Sequence, residues 1–314
     1  MADAHAQLLE RIAGGAAADR QIALAELEDA LDVRALEPLL RVLATGDPGA
    51  RVLAIGLLED LGDHRAVPGL IAALADASPA VQEAARAALR EFRGPDAAAP
   101  LIAAITHPHS AVRRGVVFAL REFRAPAALE PLVAALADPD AEVRREAVVT
   151  VAFLRAGASV EPLRPRLRDP DAGVRRLAVG ALSFFLAPAL MDDLIAAARD
   201  DDWQVRREAV IVLGRSALTQ AVPALLAALR DARWQVQKEA AAGLGRLAAR
   251  AAVPPLLELL ASEHPDVRRS AAQALGQLGG GAAVPSLRAL VDDPDAEVRK
   301  TVQRALHDLS APQP

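Results

Sequence analysis

Apolar residues return along this chain at a fixed interval of 31 positions. Counted from Val143 in both directions, the register is Asp19, Ala50, Val81, Val112, Val143, Val174, Val205, Val236, Val267 and Val298. Taking these as position 0, position 4 is always small or β-branched, from Ala23 and Ala54 to Ala271 and Val302. Position 8 is leucine from Leu27 to Leu306, with Val151 the one exception. Position 20 is leucine in all nine full repeats, from Leu39 and Leu70 to Leu256 and Leu287. No insertion breaks the register. Positions 0, 4, 7, 8 and 11 fall on one helical face, about 100° wide at 100° per residue, so each repeat opens with an amphipathic first helix. Positions 20 and 24 define a second helix.

Prolines stand at position 18 or 19 in eight repeats: Pro38, Pro68, Pro100, Pro131, Pro162, Pro223, Pro254 and Pro285. Proline is favoured at a helix start, where its missing N–H has no helical partner to lose, so these residues are expected to open the second helices. Turns such as Asp138-Pro139-Asp140, Asp169-Pro170-Asp171 and Asp293-Pro294-Asp295 separate the repeats, and the second Asp of each is placed to cap the next first helix. The ends keep register: residues 1–18 read as a capping helix, 19–297 as nine repeats, 298–309 as a second capping helix and 310–314 as a polar tail. The expectation is one all-α array over 1–314, with no linker and no second domain.

The phrase Val267-Arg268-Arg269-Ser270-Ala271-Ala272-Gln273-Ala274-Leu275-Gly276-Gln277-Leu278, followed by Ala283-Val284-Pro285-Ser286-Leu287, resembles the HEAT-like repeat named after phycobilisome lyases. The resemblance covers about residues 19–309 and implies a right-handed α-α superhelix with the second helices on its concave side. It implies less about activity, because that repeat serves bilin lyase subunits, a hydroxylase and adaptors alike. The hydroxylase, deoxyhypusine hydroxylase, holds two irons with His-Glu pairs in an Arg-His-Glu-Ala context. Here the equivalent stretches read Arg144-Arg145-Glu146-Ala147, Arg206-Arg207-Glu208-Ala209 and Gln237-Lys238-Glu239-Ala240. A cation stands at each His position, and a cation repels a metal instead of ligating it.

Composition narrows the chemistry further. The chain has no cysteine, which removes thiolate metal sites and cysteine nucleophiles. Aromatics are 3% with no tyrosine, and the net charge is −5, which argues against a nucleic-acid groove built from basic and stacking residues. No apolar run is long enough to span a membrane, and Met1 to Gln7 carries no basic, apolar leader, so a cytoplasmic location is expected. The six histidines, His107-Pro108-His109 among them, follow no register and read mostly as turn residues. No cofactor, metal or catalytic residue is expected.

Candidate contact residues lie where the pattern is broken or charged without need. Helix two of the fifth repeat, Pro162-Leu163-Arg164-Pro165-Arg166-Leu167-Arg168, carries an internal proline and three arginines. The sixth repeat has Ser183-Phe184-Phe185 in place of Leu-Gly, and Asp192-Asp193 in place of the proline. Arg168, Arg199 and Arg230 share position 25, which is Ala44, Ala75, Ala137 or Ala261 elsewhere, so the fold does not require arginine there. Each is followed by an Asp able to neutralise it. Trp203 and Trp234 precede position 0 by two residues, suited to packing the helix start or to a stacked pair for a partner. Position 22 is alanine in six repeats (Ala72, Ala103, Ala134, Ala196, Ala227, Ala289), a low row along which a partner helix could lie. Arginine at position 1 and aspartate at position 26 are expected to form a structural ladder.

Together these features predict a non-enzymatic scaffold or adaptor that binds an acidic or amphipathic segment of another protein, with Arg164, Arg166, Arg168, Arg199, Arg230, Trp203 and Trp234 as contact residues. The alternative is a bilin lyase subunit or cofactor-handling chaperone, as the resemblance implies.

Deleting residues 112–142, one full period, is expected to leave a folded, shorter array, because each repeat buries its stripe against its neighbours. Deleting 112–126 alone is expected to expose apolar faces and cause aggregation. Circular dichroism and gel filtration distinguish the two; equal behaviour would mean that the repeat is not the folding unit.

Overall fold

The leucines at position 20, from Leu39 to Leu287, have no exposed surface, nor do the residues at position 4 or the valines at position 0. The register read from sequence is the register of the core. The coordinates are a computed structural model that describes residues 2–123, 126–154, 160–185 and 188–310. All regular elements among them are helical, and the architecture is an all-α solenoid. The chain divides into two compact units, Met1–Pro162 and Leu163–Pro314.

In the first unit the first helices are Ala17–Leu27, Pro48–Leu61, Pro79–Ala88, Ser110–Phe123 and Ala141–Phe153, and the second helices are Ala2–Gly14, Leu36–Thr45, Val67–Ala73, Pro95–Ala103 and Leu129–Ala135. The other unit has first helices Ala172–Leu182, Trp203–Arg215, Trp234–Arg246, Pro265–Leu278 and Ala296–Ser310, with second helices Met191–Ala197, Val222–Ala228, Val253–Leu259 and Val284–Arg288. Within each unit, first helices stack on first helices, and each second helix packs on the first helix that follows it. The tail expected at 310–314 lies, from residue 311 on, outside the described residues.

Most second helices are short and preceded by a 3-10 turn, as at Thr219–Ala221 before Val222–Ala228. Proline opens several of them as expected, but Pro100 does not: it lies inside Pro95–Ala103, which Pro95 opens after Gly94 at φ 89°. Glycine at a positive φ followed by proline is a stronger start signal than the register. Between Pro162 and Arg168 the α-helix ends at Leu163 and residues Arg164–Arg168 form a 3-10 segment. Pro165 has no N–H to donate, and its ring blocks the carbonyl four residues back.

The turns between repeats are held by the arginine of position 1. Arg206 donates from Nε and Nη2 to the two oxygens of Asp231 at 2.6 and 3.0 Å, and from Nη1 to the carbonyls of Asp200 and Asp201 at 2.8 and 3.0 Å. Arg113–Asp138, Arg175–Asp200 and Arg268–Asp293 repeat this geometry, while Arg51 and Asp76 make a single contact at 3.0 Å. Each aspartate also accepts the amide two residues on, as Asp231 does from Arg233 at 2.8 Å. The second Asp of each quoted turn caps the next helix: Asp140 accepts from Val143, Asp171 from Val174 and Asp295 from Val298.

Burial alone would raise the Asp200 and Asp231 carboxyls, but hydrogen bonds from Arg175 and Arg206 and from turn amides outweigh it and hold both below the usual range. Arg268 does the same for Asp293 against burial. A carboxyl held low in the fold contributes stability that is complete above its unfolded pKa, about 3.9, and lost as pH falls through the lower folded value. The melting temperature is therefore expected to be flat above about pH 5 and to drop in acid. Asp231→Asn is expected to lose about 1.5–3 kcal/mol at neutral pH, the worth of a charged hydrogen bond, and to show a shallower acid drop. Thermal melts from pH 3 to 7 check both; an unchanged profile would remove the ladder from the stability of the turns.

Candidate functional site

Arg199 and Arg230 occupy the first turn past helices Met191–Ala197 and Val222–Ala228, and each is held there by its own backbone. The Arg199 amide donates to Ala196 at 2.9 Å and the Arg230 amide to Ala227 at 3.1 Å. The six alanines of position 22 are all exposed, so each arginine sits one turn beyond an exposed alanine on the second-helix face. Both side chains are exposed. The aspartate following each is not free to neutralise it, because Asp200 is held by Arg175 and Asp231 by Arg206. Neither arginine makes an ion pair with a described residue. The positive end of a side chain near a helix C-terminus is mildly favourable, yet Ala44, Ala75 and Ala137 fill the same position elsewhere.

Arg168 is 88% exposed, and its Nη2 is 4.0 Å from Asp193. Arg164 reaches the same carboxylate, donating from Nε to Asp193 Oδ2 at 2.6 Å. Asp193, which the sequence marked only as a replacement for the helix-opening proline, thus joins Arg164 and Arg168. Arg166 goes elsewhere. It is half-buried, with Nη1 3.5 Å from the buried carboxylate of Asp169, because the 3-10 path after Leu163 turns it away from the exposed row.

Trp203 and Trp234 are the first residues of their helices and are half-buried. They make no ring contact with each other. Trp234 instead packs against His264 with ring centroids 5.3 Å apart, so this ring lies against the turn before the next first helix.

Other polar clusters are internally balanced. Phe118 lies beneath the guanidinium groups of Arg86, Arg121 and Arg90 at 4.4, 4.6 and 5.2 Å, but these are matched with Glu83, Glu146 and Glu122. His107 Nδ1 accepts the His109 amide at 3.2 Å, taking the part that aspartate plays in other turns. His5 is buried in helix Ala2–Gly14, 3.4 Å from Asp32, an exception to the turn reading of the histidines. Among the described residues there is no group of three His, Cys, Asp or Glu that could hold a metal ion, and no helix is long and apolar enough to cross a membrane.

The family model for HEAT repeats matches residues 67–152, 160–233 and 222–307. No curated protein is matched by the sequence. Among solved structures, an engineered protein aligns with 97% of this chain and 98% of its own at 21% identity and a TM-score of 0.55. The Escherichia coli protein YibA aligns with 92% of this chain and 96% of its own at 17% identity, again at 0.55. Yeast importin-β, Kap95p, aligns with 98% of this chain and 51% of its own at 16% identity and 0.66, and a structure of Kap95p binding RanGDP matches at 0.65. This chain therefore spans about half the length of importin-β, and at these identities the likeness is one of fold.

Elemental analysis after native purification is expected to find less than about 0.1 equivalent of iron or zinc, since Arg145, Arg207 and Lys238 put cations where ligands would be needed. A stoichiometric metal would overturn the exclusion of iron chemistry.

Proposed function

The chain belongs to the HEAT-repeat family, and on that premise we propose that it is a non-enzymatic protein-binding scaffold. Its contact face is the second-helix side of residues 163–314, and its partner presents an acidic or amphipathic segment. One observation carries this reading: Arg199 and Arg230 are exposed cations whose neighbouring carboxylates are already engaged by other arginines. A solvated arginine next to an exposed alanine offers charge beside a low surface, which suits a helix with an acidic edge. Kap95p, whose fold this chain shares, binds another protein, RanGDP. Arg168 and Arg164 extend the positive row, with Asp193 holding Arg164 in place.

The absence of cysteine and the cations at the hydroxylase ligand positions favour a scaffold over an enzyme. The phrase Val267–Leu278 further supports a phycobilisome-lyase type of repeat. The second reading, handling of a bilin or other cofactor, rests on that repeat type alone. A visible absorbance band on the purified protein would favour it.

Reversing Arg168, Arg199 and Arg230 to Glu is expected to abolish recovery of the partner in affinity capture scored by quantitative mass spectrometry. Because the three side chains are exposed, the melting temperature is expected to move by only a few degrees. Undiminished capture by the folded triple variant would sink the proposal.

A further inference from the structure

Five large apolar side chains among the described residues stand in water: Phe153 and Phe184 lie singly in later repeats, while Ile22, Val33 and Leu53 lie in the first two. Ile22 is 55% exposed and Leu53 42%, and both stand at position 3 of their first helices. Those helices, Ala17–Leu27 and Pro48–Leu61, pack side by side, with Gln21 donating across to Asp47 at 3.2 Å. One turn on, Ala25 and Gly56 are also exposed, and a Cβ on Gly56 would meet nothing within 4 Å. The result is a low apolar strip with two large side chains standing out of it.

Its rim is negative and uncompensated. Glu28 and Asp29 follow the first of these helices, Glu59 and Asp60 close the second, and Glu91 lies just past Pro79–Ala88. Carboxylates at helix C-termini face the negative end of the helix dipole, the unfavourable placement. None of the five makes an ion pair with a described residue, in contrast to Glu26, which Arg11 holds at 2.6 Å. Glu59 feels the crowding: burial, then the charges of Glu91 and Asp60, push its carboxyl above the usual range. The repeats do not demand acids there. The same two positions are Gly214-Arg215, Gly245-Arg246 and Gly276-Gln277 later in the chain.

An exposed apolar patch with a polar rim marks an interaction site, and the sign of the rim selects the partner. We propose that the first-helix face around Ile22 and Leu53 is a docking surface for a basic amphipathic helical segment of another protein. The apolar side of that helix covers Ile22, Leu53 and the bare surface at Gly56. Its lysines or arginines meet the carboxylate rim and relieve the repulsion within it. This site is independent of the arginine row of residues 163–314.

The probe is a fluorescent synthetic helix of leucine and lysine, with leucines at i, i+3, i+4 and i+7, titrated with the full chain and followed by anisotropy. A scrambled peptide of the same composition and a glutamate-for-lysine peptide serve as controls. Binding of the basic helix is expected to weaken at least about tenfold, or 1.4 kcal/mol, in Ile22→Ser/Leu53→Ser, which keeps every carboxylate. A similar loss is expected in Glu59→Gln/Asp60→Asn/Glu91→Gln, which keeps the apolar strip, with helical content by circular dichroism unchanged in both. Binding by the scrambled peptide should be weaker. No binding to the wild type, equal binding by either variant, or equal binding of the glutamate peptide would overturn the proposal. A wild-type dimer in sedimentation that Ile22→Ser/Leu53→Ser dissolves would also overturn it, assigning the face to a second copy.

Discussion

Backbone carbonyls in the turns between repeats lie outside any helical ladder, and in most repeats a single guanidinium gathers two of them together with a carboxylate from the next turn. Arg113, Arg175, Arg206 and Arg268 each bind one aspartate through two nitrogens and two carbonyls through a third. The planar fork of arginine suits this, because its donors are fixed in the geometry that a carboxylate accepts. The first repeat has Arg20 with Thr45 at position 26 and keeps only the carbonyl bonds, to Ile12 and Gly15, while two others lose arginine and aspartate together. Position 1 is Gln82 in one and Gln237 in the other, and each amide still donates to the turn carbonyl, at 2.6 and 2.7 Å. A neutral amide could not balance a half-buried carboxylate. In those same repeats position 26 is His107 and Ser262, which keep the local bond to the amide two residues on without bringing a charge.

That interaction also decides which charges reach the surface. In the local sequence Arg199-Asp200 and Arg230-Asp231 read as self-neutralised pairs. The ladder arginine 25 residues earlier takes the aspartate in each case, and the neighbouring arginine is left to solvent. A structural contact thus sets the surface charge: the side chain left to solvent is the one the ladder does not use. Arg166 is the reverse case, drawn towards the buried Asp169.

The period, the buried stripe, the helix caps and the pairing of position 1 with position 26 were legible because each is set by contacts that recur at fixed spacing. What stayed hidden depends on a single repeat's departure from it. Pro165 changes the path of one helix, and so separates Arg166 from Arg164 and Arg168, which no spacing rule contains. Ala217 and Ala248 adopt φ values of 57° and 49° at the ends of first helices, where Gly62 and Gly279 stand in other repeats. Alanine gives no sign in sequence of a left-handed turn; only the glycines at the equivalent position do. The candidate arginines were visible, but their freedom was not, since that depends on which of two arginines an aspartate binds. The exposed pair Ile22 and Leu53 was masked by its apolar character, which in a sequence reads as core.

Position 9 shows how one period supports two kinds of surface. In residues 163–314 it is glycine where neighbouring first helices nearly touch. A Cβ on Gly214 would stand 2.7 Å from the Cα of Gly243, and Cβ atoms on Gly245 and Gly276 would stand 3.0 Å from the Cα atoms of Ala274 and Ala305. Backbones that close leave no room for a side chain, so this face is tied up in packing. In residues 1–162 the same position holds Glu28, Glu59, Arg90 and Arg121, and the small Ala152 in the fifth repeat. The four long side chains are incompatible with such a backbone approach: Arg90 and Arg121 lie over Phe118, while Glu28 and Glu59 make no ion pair with a described residue. The repeat tolerates the exchange because positions 4 and 20 and the valines of position 0 remain buried in either case. Close backbone packing at position 9 and a long charged side chain at position 9 are alternatives that one buried register accommodates.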